Sequence, residues 1–188
     1  MNNKTKIASI SAVLMIVCLS IAIYSLSFNE SPAGITFGSH NVIHLLVQQY
    51  RNGILISETY HTMTITNFGK NQTRDLLGGV NTDAMLYFAN SNDTTAFDAT
   101  WTTLPGETTT AGLGRALGAY TLDNTGNGKW NVTYTWTATS SMSANLYGLY
   151  STAYSGATLC YAEQQGAGAV KNMVAGDTLK LTAQGTAS

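Results

Sequence analysis

The sequence predicts an all-β fold: an antiparallel two-sheet sandwich of jelly-roll or Ig-like type, with one short helix, preceded by an N-terminal hydrophobic helix. Three observations lead there. Asn52-Gly53 divides the stretch Asn41–Asn67 into two β-type runs, and Asn-Gly between apolar runs is the strongest short hairpin signal, because both central residues of a type I′ turn need φ > 0. From Ala84 onward, short β-type runs recur between turn clusters, a spacing that suits packed antiparallel sheets better than βαβ units. Trp130, Val132, Tyr134 and Trp136 alternate with Asn131, Thr133, Thr135 and Thr137, the period of a half-buried strand.

The chain has 188 residues, which divide into 1–28, 29–40 and a β domain over 41–188. Lys4 and Lys6 precede an uncharged run, Ile7–Phe28. Basic residues ahead of such a run mark an export signal or a membrane anchor. Its length exceeds the usual apolar core of a cleaved signal, about 7–15 residues, and approaches the roughly 20 that span a bilayer. Both outcomes, cleavage and retention, stay open, and either places the domain outside the cell or on its surface. Cys18 lies inside this run and Cys160 in the domain, so no disulfide within the domain is expected.

Residues 29–40 read as a linker broken by Pro32, Gly34 and Gly38. Within it Ile35 and Phe37 flank Thr36, the pattern of a very short strand with one apolar side. That pattern suits an inter-subunit strand donated to another copy, and equally a strand kept by its own domain.

In the hairpin, a two-residue turn sets Arg51 opposite Ile54. One face then carries Ile43, Leu45, Val47, Ile54, Ile56 and Tyr60, and this face is expected inward. The same register brings His44 opposite His61. Asn67–Gly79 is the one helix signal in the domain: Asn67 or Gly69 starts it and Gly78-Gly79 stops it. The strands expected next are Ala84–Asn90, Leu113–Leu122, Lys129–Thr139, Leu146–Thr152, Thr158–Gln164 and Thr178–Gln184. The long connection Ser91–Thr110 holds Phe97, Trp101 and Leu104, which can pack it down.

Seven basic residues beyond residue 28 face ten acids. That balance argues against nucleic-acid binding, which needs a basic stripe. Asn29, Asn71, Asn92 and Asn131 each begin an Asn-x-Ser/Thr triplet and are glycosylation candidates in an exported chain. No cofactor or metal is expected. His44 with His61 gives two ligands, an incomplete set. Asp93, Asp98 and Glu107 share a loop without the spacing of a calcium hand. Gly112–Gly118 has glycines but not the strand-to-helix setting of a phosphate loop. Trp101, Tyr147, Tyr150, Tyr154 and Tyr161 form either a sugar-stacking face or ordinary core. Neither a nucleophile elbow nor a paired-carboxylate signature is present, so an enzyme is not expected.

The order of these stretches resembles phage-tail and virion-associated β-sandwich modules, relatives of which occur in exported surface proteins. It rests on the Asn52-Gly53 hairpin and on residues 66–79, 84–96, 104–121, 126–139, 146–163 and 173–186. The resemblance implies a non-enzymatic structural or attachment role. The export segment departs from cytoplasmic tail assembly and shifts the expectation toward the cell surface. The first expectation is therefore a structural subunit of an extracellular filament or coat, possessing itself as partner. The second is a surface-displayed adhesion or glycan-binding module, and the third a virion or tail-fibre-like protein.

Overall fold

In the computed structural model, residues 42–153, 158–164 and 170–186 are described; the linker Ile35-Thr36-Phe37, Asn29 and the apolar run lie outside them. The chain enters β1 (Ile43–Arg51), turns, and returns as β2 (Ile54–Ile65). Asn52 and Gly53 take φ of 51° and 78°, the two positive values a type I′ turn requires. Arg51 faces Ile54 and Tyr50 faces Leu55, as expected. Beyond that a β-bulge intervenes: Gln49 pairs with Ser57, and the shift continues to Ile43 opposite Met63.

One extra residue on β2 reverses which of its side chains face inward. Ile43, Leu45 and Val47 are buried as expected, but their companion on β2 is Met63, while Ile54, Ile56 and Tyr60 are 46–67% exposed. The bulge also separates the two histidines. His44 pairs with Thr62, and His61 with Leu45.

The helix α1 (Asn67–Leu77) is capped by Thr66, whose hydroxyl accepts from Gly69 N at 2.9 Å. The cap therefore falls one residue before the expected start. At the other end Gly78 N donates to Arg74 O, and Gly79 follows at φ 67°. Gly69 lies against the backbone at Cys160, where an added Cβ would come 2.2 Å from the carbonyl oxygen.

The remaining strands are β3 (Tyr87–Ser91), β4 (Ala116–Leu117), β5 (Ala119–Leu122), β6 (Lys129–Thr137), β7 (Met142–Ala144), β8 (Leu146–Tyr150), β9 (Leu159–Gln164), β10 (Lys171–Met173) and β11 (Thr178–Thr186). Among the described residues nine strands form one sheet in the order β4-β3-β8-β9-β2-β1-β11-β6-β5, while β7 and β10 form a separate ribbon. All pairings are antiparallel. The two outermost strands, β4 and β5, are halves of one segment. The result is a nearly closed, barrel-like sheet rather than two clearly separate sheets.

Gly118, between those halves, donates its N–H to Leu86 O at 2.8 Å. A Cβ there would come 2.5 Å from Val132 and 3.1 Å from the Phe88 ring. Only a glycine lets the segment pass this close to the core while leaving β3 and joining β6. The stretch Leu113–Leu122 thus carries two strands where the periodicity suggests one.

The interior is filled by Leu45, Val47, Val132, Trp136, Tyr147, Leu149, Leu179 and Leu181, all at most 3% exposed. Trp130 and Tyr134 pack against the same cluster, so the alternating face of β6 points inward as expected. A second cluster lies on the other face of β8: Leu146 and Tyr150 join Leu104 and Leu159, with Phe97 and Trp101 packed on them. The loop over 92–115 therefore covers β8, as its aromatic residues predict, and β8 is buried on both faces.

Trp136 is 3% exposed, and its indole N–H donates to Gly114 O at 2.8 Å. Trp136→Ala is expected to cost about 3–5 kcal/mol, the range for a fully buried large aromatic, measured by urea unfolding; a loss below about 1 kcal/mol would contradict this packing.

Candidate binding groove at the barrel mouth

At the end of the barrel where β1 begins, the wall is incomplete. Residues 84–86 run toward α1 while β5 follows β6, and the two diverge below Gly118. Between them opens an apolar pocket of about 280 Å³. Val42, Ile43, Leu86, Tyr120, Trp130 and Val132 line it, with Leu76 of α1 and Tyr161 of β9 behind. Trp130 can lean into this space because residue 185 is glycine: a Cβ there would meet the indole at 2.2 Å. Tyr120 stacks beside it with ring centroids 6.4 Å apart.

Of the pocket's lining residues Tyr120 is 51% exposed; Leu77, Val80, Leu117 and Leu122 are exposed apolar side chains that do not line it. All four residues of β5 are exposed, and β5 ends the strand order, so one side of its backbone has no strand beside it among the described residues. Gly118 N–H points toward Leu86. Alternation along a strand then turns the N–H and C=O groups of Tyr120 and Leu122 to that same free side.

A second hollow, about 300 Å³, lies on the outer face of the sheet. His44 and Tyr60 stack there at 5.0 Å and 16°. Trp130, Asn131, Asp123 and Gln184 complete it. Asn131 Oδ1 is buried without a hydrogen-bond partner.

The other residues singled out in the sequence are dispersed. His44 lies in this outer hollow, whereas His61 Nδ1 is 3.4 Å from Glu163 Oε1. Asp93 caps Thr95 and Asp98 caps Thr100. Glu107 instead holds Arg115 through two hydrogen bonds of 2.7 and 2.9 Å. Among the described residues no three His, Cys, Asp or Glu side chains come together as a metal site. Tyr147, Tyr150 and Tyr161 are core at 0–3% exposure, which removes them from any sugar-stacking face; Trp101 packs on Phe97, and Tyr154 lies outside the described residues. Asn71 and Asn92 are exposed, and Asn131 is half-buried in β6. Burial pushes the Cys160 thiol up to about 12, which keeps it protonated. No helix among the described residues is long and apolar enough to cross a membrane.

The open seam was not foreseen from the sequence. The signal available was Leu117, Tyr120 and Leu122 in a stretch where a strand changes partners, with Gly118 between.

No family model matches the chain, and no curated protein or solved structure matches it either; nothing in these comparisons identifies a phage-tail-like module.

One interior group makes stability pH-dependent. Burial pushes the Glu163 carboxyl up to about 7 from its ordinary 4.5. With the folded value above the unfolded one, the protonated acid favours folding below about pH 4.5. That contribution is lost as pH rises through 7. Glu163→Gln is therefore expected to melt at a higher temperature than the unaltered protein at pH 8, with the difference shrinking at pH 5. Thermal unfolding at both values checks it, and equal melting at pH 8 would contradict the assignment.

Proposed function

We propose that the chain is a non-enzymatic structural subunit of an extracellular or cell-surface assembly, a filament or coat, whose copies join by β-strand addition. The observation that carries this reading is the edge of β5, which ends the strand order among the described residues and whose half-exposed Tyr120 lines the apolar pocket. A bare strand edge recruits other strands. The apolar run Ile7–Phe28 behind two lysines supports export or anchoring at a membrane. The partner is a further copy of the chain, and Ile35-Thr36-Phe37 is the inter-subunit strand.

A second reading, a surface-displayed adhesion or glycan-binding module, is favoured by the outer hollow. Its stacked His44 and Tyr60 offer a flat face, and Asp123, Asn131 and Gln184 offer hydrogen bonds. A virion or tail-fibre-like role is supported by the order of elements alone.

Electron microscopy of the purified protein separates these: ordered polymers support the subunit, and dispersed monomers that bind glycan arrays support the adhesin. Replacing Ile35 and Phe37 together by Asp should abolish polymers and leave the thermal unfolding of the monomer nearly unchanged. Polymers that persist would remove strand addition from the proposal.

A further inference from the structure

We infer that the outer face of the sheet around His44 and Tyr60 binds a neutral oligosaccharide laid across β1, β11, β6 and β5. This rests on the glycan-binding reading above and names the ligand and the residues that select it. The site lies on a face of the sheet and not on its edge, so a subunit joined through a strand edge can carry it too.

Strand register brings the polar groups together. His44 pairs with Gln184, Gln184 with Asn131, and Asn131 with Thr121. Paired residues of an antiparallel sheet share a face. Here it is the face away from the core, since the neighbours Ile43, Leu45, Ala183 and Val132 are buried. Four successive strands thus present an imidazole, two amides and a hydroxyl in one row. With strands about 4.8 Å apart, the row is about 14 Å long. The outer hollow of about 300 Å³ takes in His44, Gln184 and Asn131. A second hollow, of about 540 Å³ under the turn between β5 and β6, shares Asp123, Lys129 and Trp130 with it. The concave surface therefore continues beyond the room for a single ring, which suits a chain of sugars.

The chemistry of the lining selects the sugar. A pyranose offers faces of C–H bonds and hydroxyls that both donate and accept. Tyr60, 55% exposed, lies nearly parallel to His44 at 16°, so the pair presents a flat aromatic platform to a C–H face. Thr62 Oγ, 3.3 Å from His44 Nδ1, holds the plane of that platform. The amides of Gln184 and Asn131 each have a donating and an accepting end, while Asp123 accepts and Lys129 donates. Bonds from the Thr125 hydroxyl and N–H hold the Asp123 carboxyl below its usual range, which keeps it an acceptor. Asn131 Oδ1 is buried without a partner. Rotation about the terminal bond of an Asn side chain is broad and two-fold, and it turns this oxygen to the hollow, where a sugar hydroxyl supplies the missing donor. Apart from the imidazole, the charges lining the hollow are Asp123 and Lys129, one of each sign. A phosphate or sulfate ester needs an excess of cations, so the ligand is a neutral sugar.

Isothermal titration calorimetry of the full chain tests this. The probes are neutral hexasaccharides built on glucose, mannose, galactose or N-acetylglucosamine, beside a sulfated hexasaccharide. At least one neutral chain should bind, and Tyr60→Ala and Gln184→Ala should each weaken it roughly tenfold or more. Tyr60→Phe keeps the ring and should weaken it less than about threefold. Circular dichroism melting of these variants should match the parent, because both side chains lie on the outer face. Folded Tyr60→Ala and Gln184→Ala proteins that bind the same sugar undiminished would overturn this site and leave the glycan-binding reading standing. Binding of the sulfated chain alone would overturn the neutral ligand. Binding to none of the chains would overturn the site and the glycan-binding reading together, and would leave the structural subunit in place.

Discussion

The sheet depends on one segment serving two neighbours. Ala116 and Leu117 pair with β3, and Ala119–Leu122 pair with β6. Gly118 carries the change of partner through a gap that Val132 and Phe88 would deny to any side chain. Without this crossing, the inner faces of β3 and β6 would each end in an unpaired margin, and Phe88 would lose the wall opposite it. The crossing is also why the mouth exists. A strand that turns away from β3 to follow β6 must leave a wedge behind it, and residues 84–86 form the other side of that wedge.

Charged groups hold the margins that apolar packing cannot. The Arg115 guanidinium, 5% exposed, binds both oxygens of Glu107 and lies 3.5 Å from the centre of the Tyr150 ring. Tyr150 donates to the same carboxylate and accepts from Leu104 N at 2.7 Å. The long loop is thereby fixed to β8 immediately before the segment enters β4. A matching clamp stands at the other end, where Arg51, the residue before the hairpin turn, meets both oxygens of Asp177. The hydrogen bond from Arg51, aided by those from Val174 N and Gln49, holds the Asp177 carboxyl well below the usual range. Arg115 and Glu107 are largely buried, whereas Arg51 is 43% exposed; a buried pair costs about as much to desolvate as it returns, but breaking one leaves an uncompensated charge. Their value here is positional: they fix where loops meet strands.

What could be read from the sequence follows from how local each signal is. The Asn52-Gly53 turn, the inward face of β6, the glycine stop of α1 and the packing of Phe97, Trp101 and Leu104 all come from neighbouring residues. The bulge at Ile56 does not. Nothing in Ile54-Leu55-Ile56 announces that one residue will go unpaired, yet that residue reverses the face of β2 and parts His44 from His61. β7 and β10 were not anticipated because each is three residues long and too short to show a period. In β10 the buried residues are Met173 and Lys171, whose ammonium donates to Ser57 Oγ at 2.7 Å. The aromatic residues of β8 and β9 read equally well as a binding face or as core, since only a covering loop from elsewhere in the chain decides it.

The same logic explains why the mouth is apolar when a monomer would be better served by charge. Exposed sheet edges are usually guarded by lysine, proline or a strong twist, because a bare edge recruits other strands. Around β5 those guards are few: its four residues are Ala, Tyr, Thr and Leu, and Lys129 lies one strand away. The pocket is not a packing accident either, since Gly185 leaves the room in which Trp130 sits. Filling that room with a side chain on β11 would force the indole out and narrow the mouth. An edge left unguarded beside a pocket kept open is the combination a strand-accepting surface requires. In the proposed assembly, a strand added at this edge would cover Tyr120 and complete the barrel wall beside the pocket.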